Sequence, residues 1–305
     1  MADLTIVRAD CFSARLFLDA TYLPAPEWIG TLLTLPENIS SLLRASRNVR
    51  EDLRRIRRHR FEMEVSHKEA DFDLFYHSMY LPYIRSRYGE FAGLRKPVYI
   101  RQFFQRGGIV FTVQNGRRVA GQLFARHERM YCMVALGVDE GEEQSVRSGA
   151  LAACYFFGIT HAYRLGCTRV EFGGSRSVLE DGVLRYKAKW GAKLNVEQPS
   201  ESLLMVHWNR LDGAAGELLS HTSLMFRDSG GLSAIHALRQ DNPATQADAD
   251  AARRALWIDG LRNLYLLSPA GWSAGIQPPP QTIMLDSRVT PEILQTGERK
   301  RLQCL

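Results

Sequence analysis

The spacing of apolar positions changes period several times along the chain, and the middle third is the most regular. Ile109–Val113 is a β-branched and aromatic run, Asn115-Gly116 is a strong two-residue hairpin signal, and Val119–Ala125 supplies the return strand. After a polar turn at His127–Arg129 another strand runs from Met130 to Val138. An acidic loop, Asp139–Glu143, then precedes helical spacing from Gln144 to Arg164 that stops at Gly166. Thr168–Phe172 predicts a short strand ending in Gly173-Gly174, Leu179–Trp190 a helix ending at Gly191, and Ala192–Val196 and Leu203–Trp208 two more strands. A meander feeding one β-α-β crossover predicts an α/β layer fold, with a mixed, mostly antiparallel sheet flanked by helices.

The flanks are less regular. Leu4–Val7 and Ala14–Leu18 read as strands, Pro26-Glu27-Trp28 as a helix start, Glu37–Arg60 as helix and Phe61–Val65 as a strand. Asp71–Tyr88 reads as an amphipathic helix with Phe72, Phe75, Met79 and Ile84 on one face, kinked or ended by Pro82. Ala244–Leu267 has helical spacing, and the prolines at 278–280 with the charged Gly297–Arg301 stretch predict an extended tail.

Charge sharpens this picture. The chain of 305 residues carries 39 Lys and Arg against 33 Asp and Glu, a net +6. Residues 41–60 hold Arg44, Arg47, Arg50, Arg54, Arg55, Arg57, Arg58 and Arg60 against Glu51 and Asp52, which accounts for the whole excess. Such a strip suits a polyanion, because neutralising phosphates releases counterions; it also suits a solvated helix face. No apolar run reaches the length of a membrane helix, and the N-terminus lacks the basic, then apolar, pattern of a secretion signal. Five cysteines at 11, 132, 154, 167 and 304 form no C-x-x-C pair. The expectation is a cytoplasmic protein with neither a disulfide framework nor a metal.

Hydrolase and nucleotide-loop motifs are missing: there is no G-x-S-x-G, H-E-x-x-H or G-x-x-x-x-G-K-[ST]. The dispersed histidines and the apolar settings of Cys154 and Cys167 suit packing rather than ligation or nucleophilic attack. Two places suit chemistry better. Gln144, Arg147, Ser148 and Gly149 open a helix, where free amides and the dipole favour an anion; the same residues also make an ordinary capped helix. Glu171 and the Gly173-Gly174 strand end precede Asp181, Arg185, Tyr186, Lys187 and Lys189, so carboxylates able to take a proton stand near a concentration of cations. Glu171 alternatively caps a helix or pairs with Arg176. Tyr83 and Arg85, next to the break expected at Pro82, are candidates for acceptor binding.

The strand order, the hairpin Phe111-Thr-Val-Gln-Asn-Gly-Arg-Arg-Val-Ala-Gly-Gln-Leu and the block Phe172-Gly-Gly…Gly182…Arg185-Tyr-Lys187-Ala-Lys-Trp-Gly191 resemble the GNAT-fold acyltransferases. More narrowly, over residues 40–210, they resemble the Fem-like branch, which transfers amino acids from aminoacyl-tRNA to amines. The resemblance implies three regions: an N-terminal extension with the basic helix (1–60), a GNAT-like domain (61–210) and a C-terminal extension (211–305). It implies Lys187 at the aminoacyl-tRNA terminus; of the residues read above, Glu171 is then the expected proton acceptor. Gln144, Arg147, Ser148, Gly149, Gly173, Gly174 and Arg185 would hold the donor, and Arg47, Arg50, Arg54, Arg55, Arg57 and Arg58 the tRNA. No cofactor is implied beyond aminoacyl-tRNA as co-substrate, and the acceptor is the amine of a small molecule or peptide.

CoA-dependent GNAT enzymes resemble one another in a loop of the form Q/R-x-x-G-x-G/A. Gln144 and Gly149 fit that form, but Arg147 replaces its first glycine and would crowd a pyrophosphate lying on the backbone. An acyl-CoA-dependent N-acyltransferase is therefore the alternative expectation, and a non-catalytic module that binds RNA or a partner is the third.

Overall fold

The computed structural model describes residues 3–18, 21–44, 46–91, 93–197, 200–211, 213–228, 230–239, 242–286 and 288–296. The charged Gly297–Arg301 stretch and Cys304 lie outside them. Strands β1 (Leu4–Asp10), β2 (Leu23–Pro26) and β3 (Trp28–Thr34), with helix α1 (Cys11–Phe17) after the first, are followed by α2 (Ile39–Arg44) and α3 (Arg47–Arg58). Strand β4 (Glu62–Ser66) leads into α4 (Glu69–Leu74), a π-helical turn (Phe75–Tyr80), α5 (Leu81–Tyr88) and α6 (Pro97–Phe104). Strands β5 (Gly107–Gln114), β6 (Arg117–His127) and β7 (Met130–Val138) precede α7 (Glu143–Ser148), α8 (Ala150–Arg164), β8 (Arg169–Arg176) and α9 (Gly182–Lys189). Then come β9 (Lys193–Asn195), β10 (Ser202–Trp208), α10 (Ala214–His221), β11 (Leu224–Asp228) and β12 (Gly231–Ala237). The chain closes with α11 (Gln246–Leu256), β13 (Leu264–Leu267), β14 (Thr282–Leu285) and α12 (Pro291–Thr296). This is a mixed α/β fold whose sheets are mostly antiparallel.

Two compact units divide the chain. The first comprises Met1–Thr31, Gly174–Ala188 and Lys193–Leu305; the second comprises Leu32–Gly173 and Lys189–Ala192.

In the second unit β4, β5, β6 and β7 form an antiparallel meander, and β8 joins β7 in parallel. The hairpin expected at Asn115-Gly116 is present, with φ of 51° and 76° at its two turn residues. Phe72, Phe75, Met79, Ile100, Phe111 and Leu123 form the core of this unit. The single kinked helix expected over 71–88 is instead α4, the π turn and α5, with Pro82 directly after the π turn at the start of α5. The π turn lies hard against β7: a Cβ at Gly137 would stand 2.5 Å from the Met79 carbonyl carbon and the Tyr80 nitrogen.

The continuous helix expected from Gln144 is broken. Gly149, at φ +102°, ends α7 and starts α8 in the left-handed region that glycine adopts without strain.

In the first unit β1, β10 and β2 form a three-stranded antiparallel sheet, and β11–β14 a four-stranded sheet with two parallel pairs. The strand expected at Ala14–Leu18 belongs to helix α1, because the Asp10 carboxylate accepts from the amides of Phe12 and Ser13 and so starts a helix. Pro26–Trp28 leads into strand β3 rather than a helix, since Ile29, Gly30, Thr31 and Leu33 are buried in a sheet covered on both faces. The helix expected over Ala244–Leu267 stops at Leu256; Gly260 turns at φ +100°, and Leu264–Leu267 form the fully buried β13. The described residues of 211–296 thus pack into this unit, where Phe226, Ile235, Tyr265 and Leu285 join Trp208 in one core. Among the described residues no helix is long and apolar enough to cross a membrane.

Candidate active site

In the second unit β7 and β8 pair at three positions only: Met130 with Arg169, Tyr131 with Val170 and Cys132 with Glu171. Strand β7 continues to Val138, while Gly173 takes up φ +69°, with a Cβ there 3.4 Å from the Met133 carbonyl oxygen. Arg95 donates to the Val134 carbonyl at 3.2 Å, and its own backbone is tied down by the hydroxyls of Tyr76 and Tyr80.

Glu171 stands at the last paired position, where the Cys132 thiol donates to its Oε2 at 3.4 Å. Burial first, and the Glu171 carboxylate second, push the Cys132 thiol up to about 12 from an ordinary 9.0. Three pH units correspond to about a thousandfold less thiolate. In the folded protein at pH 8, Cys132 is therefore expected to alkylate about a thousandfold more slowly than in the unfolded chain, and Glu171→Gln to speed it. Peptide mapping after iodoacetamide treatment checks this; equal labelling of folded and unfolded protein would contradict the burial of the thiol, and an unchanged rate in Glu171→Gln would contradict its contact with Glu171.

On β8 and α8, Phe172 and Tyr155 are buried and tilted against each other at 5.5 Å. Tyr83 is half-buried, and burial with neighbouring Tyr88 raises its hydroxyl to about 12; Arg85 is exposed on the same helix.

The other candidates of this unit separate. Gln144 is exposed, Arg147 pairs with Glu143 at 2.7 Å on the surface, and the Ser148 hydroxyl donates to the Ser145 carbonyl. Gly149 is buried, and a Cβ there would lie 3.5 Å from the Arg55 Cβ. The bare backbone cradle expected at this glycine is therefore covered by the stem of an arginine from α3. Arg47, Arg50, Arg54, Arg55, Arg57 and Arg58 are all exposed on α3, while Val49, Asp52, Leu53 and Ile56 face inward. Glu51 lies near Arg54 and Arg55 at 3.5 and 3.8 Å, long and exposed pairs that neutralise little. Buried Asp52 takes the Lys189 ammonium at 2.5 Å, which accounts for one member of the cation concentration read from the sequence.

In the first unit the end of β8 meets α9. Lys187 is 2% exposed and donates to the Gly174 carbonyl at 2.8 Å and to the buried Ser175 hydroxyl at 3.0 Å. Asp181 caps α9, accepting from the Leu184 amide at 2.7 Å, which replaces its candidacy as a proton acceptor. Arg185 is also placed differently from expectation. Its guanidinium donates to the Leu256 and Trp257 carbonyls, because helix α11 ends there with carbonyls that lack helical partners.

Sequence reasoning passed over Glu27, Trp28, Ser175 and Arg176, which gather around the same strand end. Arg176 lies over the Trp28 ring at 4.0 Å and reaches Glu27 at 3.3 Å. The adjacency of Ser175 and Arg176 to the glycine pair was the available signal; Trp28 carried none.

No family model matches the sequence, and no curated protein matches it. Solved structures do align. The C-terminal domain of a putative lysylphosphatidylglycerol synthetase from Agrobacterium fabrum is similar at 14% identity over 65% of both chains, with a TM-score of 0.36. The present chain thus spans slightly under two thirds of that domain. L-PGS from Bacillus licheniformis aligns at 13% identity over 67% of both chains, with a TM-score of 0.38. A GCN5-related N-acetyltransferase from Sphaerobacter thermophilus aligns at 17% identity over 67% of this chain and 59% of its own, with a TM-score of 0.35.

Proposed function

We propose that this protein is an acyltransferase that forms an amide bond, taking an aminoacyl group from aminoacyl-tRNA and passing it to the amine of a small molecule or peptide. The observation that carries the reading is the buried ammonium of Lys187, aimed at the end of β8 by Gly174 and Ser175. A preorganised buried cation stabilises negative charge far better than a solvated one.

In the reaction the amine nitrogen attacks the ester carbonyl, the C–N bond forms, and the carbonyl oxygen takes up the charge that Lys187 meets. The intermediate then expels the terminal ribose oxygen. The amine surrenders its proton to a carboxylate acceptor, which returns it to the departing ribose oxygen. The ester is already activated, so alignment and charge stabilisation suffice.

Exposed arginines of α3 supply the surface for the tRNA stem. Changing Arg47, Arg50, Arg54 and Arg58 together to glutamine is expected to weaken tRNA binding and to flatten log K against log salt by about 0.9 for each phosphate that is no longer neutralised. Filter binding between 50 and 300 mM salt measures this; an unchanged slope removes α3 from the interface.

One observation favours acyl-CoA as donor instead. Helix α8 starts at Gly149 with no side chain capping its first amides, which suits a pyrophosphate. Against it stands the Arg55 stem over that glycine. Saturable stabilisation of the fold by acetyl-CoA in a thermal shift assay would support the CoA reading.

A further inference from the structure

Within the second unit, α8 covers the face of the sheet that carries Phe124: its His161 ring meets the Phe124 ring edge-on at 5.0 Å. Arg126, two residues beyond Phe124 on β6, shares that face. Arg106 stands opposite it at the start of β5, its carbonyl accepting from the Arg126 amide at 3.1 Å. Arg129 closes the turn between β6 and β7, where its carbonyl accepts from the Thr168 amide at 2.8 Å, and Arg164 is the last residue of α8. The buried Cys167 thiol joins these turns. Burial raises it, while Arg126, which is bonded to it, and nearby Arg129 pull it down. Burial, His67 and Arg164 together hold His161 below its ordinary range. Four arginines from four separate places in the chain therefore gather at one end of this face.

All four are exposed, and among the described residues none of them pairs with a carboxylate. Glu128, in the turn, and Glu37, whose carbonyl accepts from the Tyr163 hydroxyl at 2.6 Å, are exposed and leave them unpaired. Other arginines of this unit are matched, Arg101 by Glu69 and Asp73, and Arg117 by Asp139. Unmatched like charges repel, and a polyanion relieves that repulsion while releasing its own counterions. The planar fork of arginine also fits phosphate oxygens two at a time.

Two observations choose the polyanion. Helix α3 packs on α8, with the Arg55 stem over Gly149 at the start of α8. Arg164 ends the same 15-residue helix, about 22 Å away at the usual rise. The exposed arginines of α3 and the new cluster therefore bracket one helix. A single pyrophosphate is too short to meet both, whereas a base-paired stem carries phosphates along its whole length. An anionic membrane would need apolar side chains to insert beside the charges. Neither the His127–Arg129 turn nor the turn after Arg164 exposes a large one, and Tyr163 is tied to Glu37.

We infer that Arg106, Arg126, Arg129 and Arg164 form a second phosphate-binding surface, which together with α3 grips one base-paired RNA stem along α8. The inference rests on the proposed function, which supplies the RNA.

The test uses the full chain and RNA hairpins with stems of about four and about twelve base pairs, one shorter and one longer than the bracketed span at ~3.4 Å per pair. Wild-type protein is expected to bind the long stem more tightly, with the steeper fall of log K against log salt. Arg129→Gln combined with Arg164→Gln should flatten the long-stem slope by about 1.8, or about 0.9 for each phosphate no longer neutralised. Arg129→Lys combined with Arg164→Lys keeps the charge and should restore the slope, which a merely structural role would not do. Equal affinity of wild type for the two stems, or an unchanged slope in the glutamine variant, would overturn the inference. Binding to vesicles of phosphatidylglycerol and phosphatidylcholine that the glutamine variant loses, with its RNA slope unchanged, would overturn it in favour of a membrane. A flattened slope in a protein that transfers nothing from aminoacyl-tRNA would keep the surface and remove the proposed activity. Undiminished aminoacyl transfer by the glutamine variant, with the slope also unchanged, would leave the proposed function standing and remove the surface.

Discussion

Lys187→Met is expected to lower aminoacyl transfer by about 10²–10³-fold, the usual cost of removing one preorganised partner of a developing oxyanion. Methionine has nearly the length of the lysine stem and suits a site that is only 2% exposed, so the substitution removes charge with little change in volume. The Gly174 carbonyl and Ser175 hydroxyl each lose a donor, which costs stability on the order of 1–3 kcal/mol. The assay therefore runs below the melting transition of the variant, with circular dichroism as a check on folding. A loss confined to the chemical step, with RNA affinity within twofold of wild type, is the expected pattern. Transfer within twofold of wild type would show that the ammonium only braces α9 against β8.

The second large effect is on stability. Gly137→Ala places a methyl group 2.5 Å from backbone atoms of Met79 and Tyr80, and backbone on both sides leaves no flexible side chain to move away. Overpacking of this kind costs about 3 kcal/mol. For a chain of this size that lowers the melting transition by roughly 6–12 °C. Gly116→Ala is a useful comparison: it lies in an open turn with nothing within 4 Å, so its cost comes only from a left-handed φ of 76°. Calorimetry of the two variants should show the larger loss at position 137. A smaller loss there would mean that the π turn can lift from β7.

What the sequence made legible was what short-range chemistry determines. Asn115-Gly116 specifies its hairpin, the 3.6-residue spacing of Val49, Leu53 and Ile56 specifies the buried face of α3, and the meander follows from β-branched runs. The misread elements depend on partners distant in sequence. Strand β3 lies beside β8, and β13 pairs with β12 and β14, so burial on both faces overrides the local helical spacing. The break at Gly149 was readable as a glycine but not as a left-handed residue, because the Arg55 stem that packs on it comes from α3.

The candidate site divides in the same way. Lys187 stood out through the family resemblance of the block around Tyr186-Lys187, and its partner Gly174 belongs to the glycine pair already noticed, with Ser175 next to it. Arg185 and Asp181 were drawn off by helix ends, which no spacing rule reveals before the neighbouring helices are placed. The Arg176 contacts with Trp28 and Glu27 were out of reach because Arg176 and Glu27 lie 149 residues apart.

The central claim is the identity of the donor. The most direct measurement offers purified protein a mixture of ¹⁴C-labelled aminoacyl-tRNAs and ³H-labelled acetyl-CoA, with a panel of amines, with and without prior ribonuclease treatment. The account predicts ¹⁴C in an amide product that ribonuclease abolishes, with no protein-dependent ³H product; ³H amide that survives ribonuclease, without ¹⁴C, would contradict it.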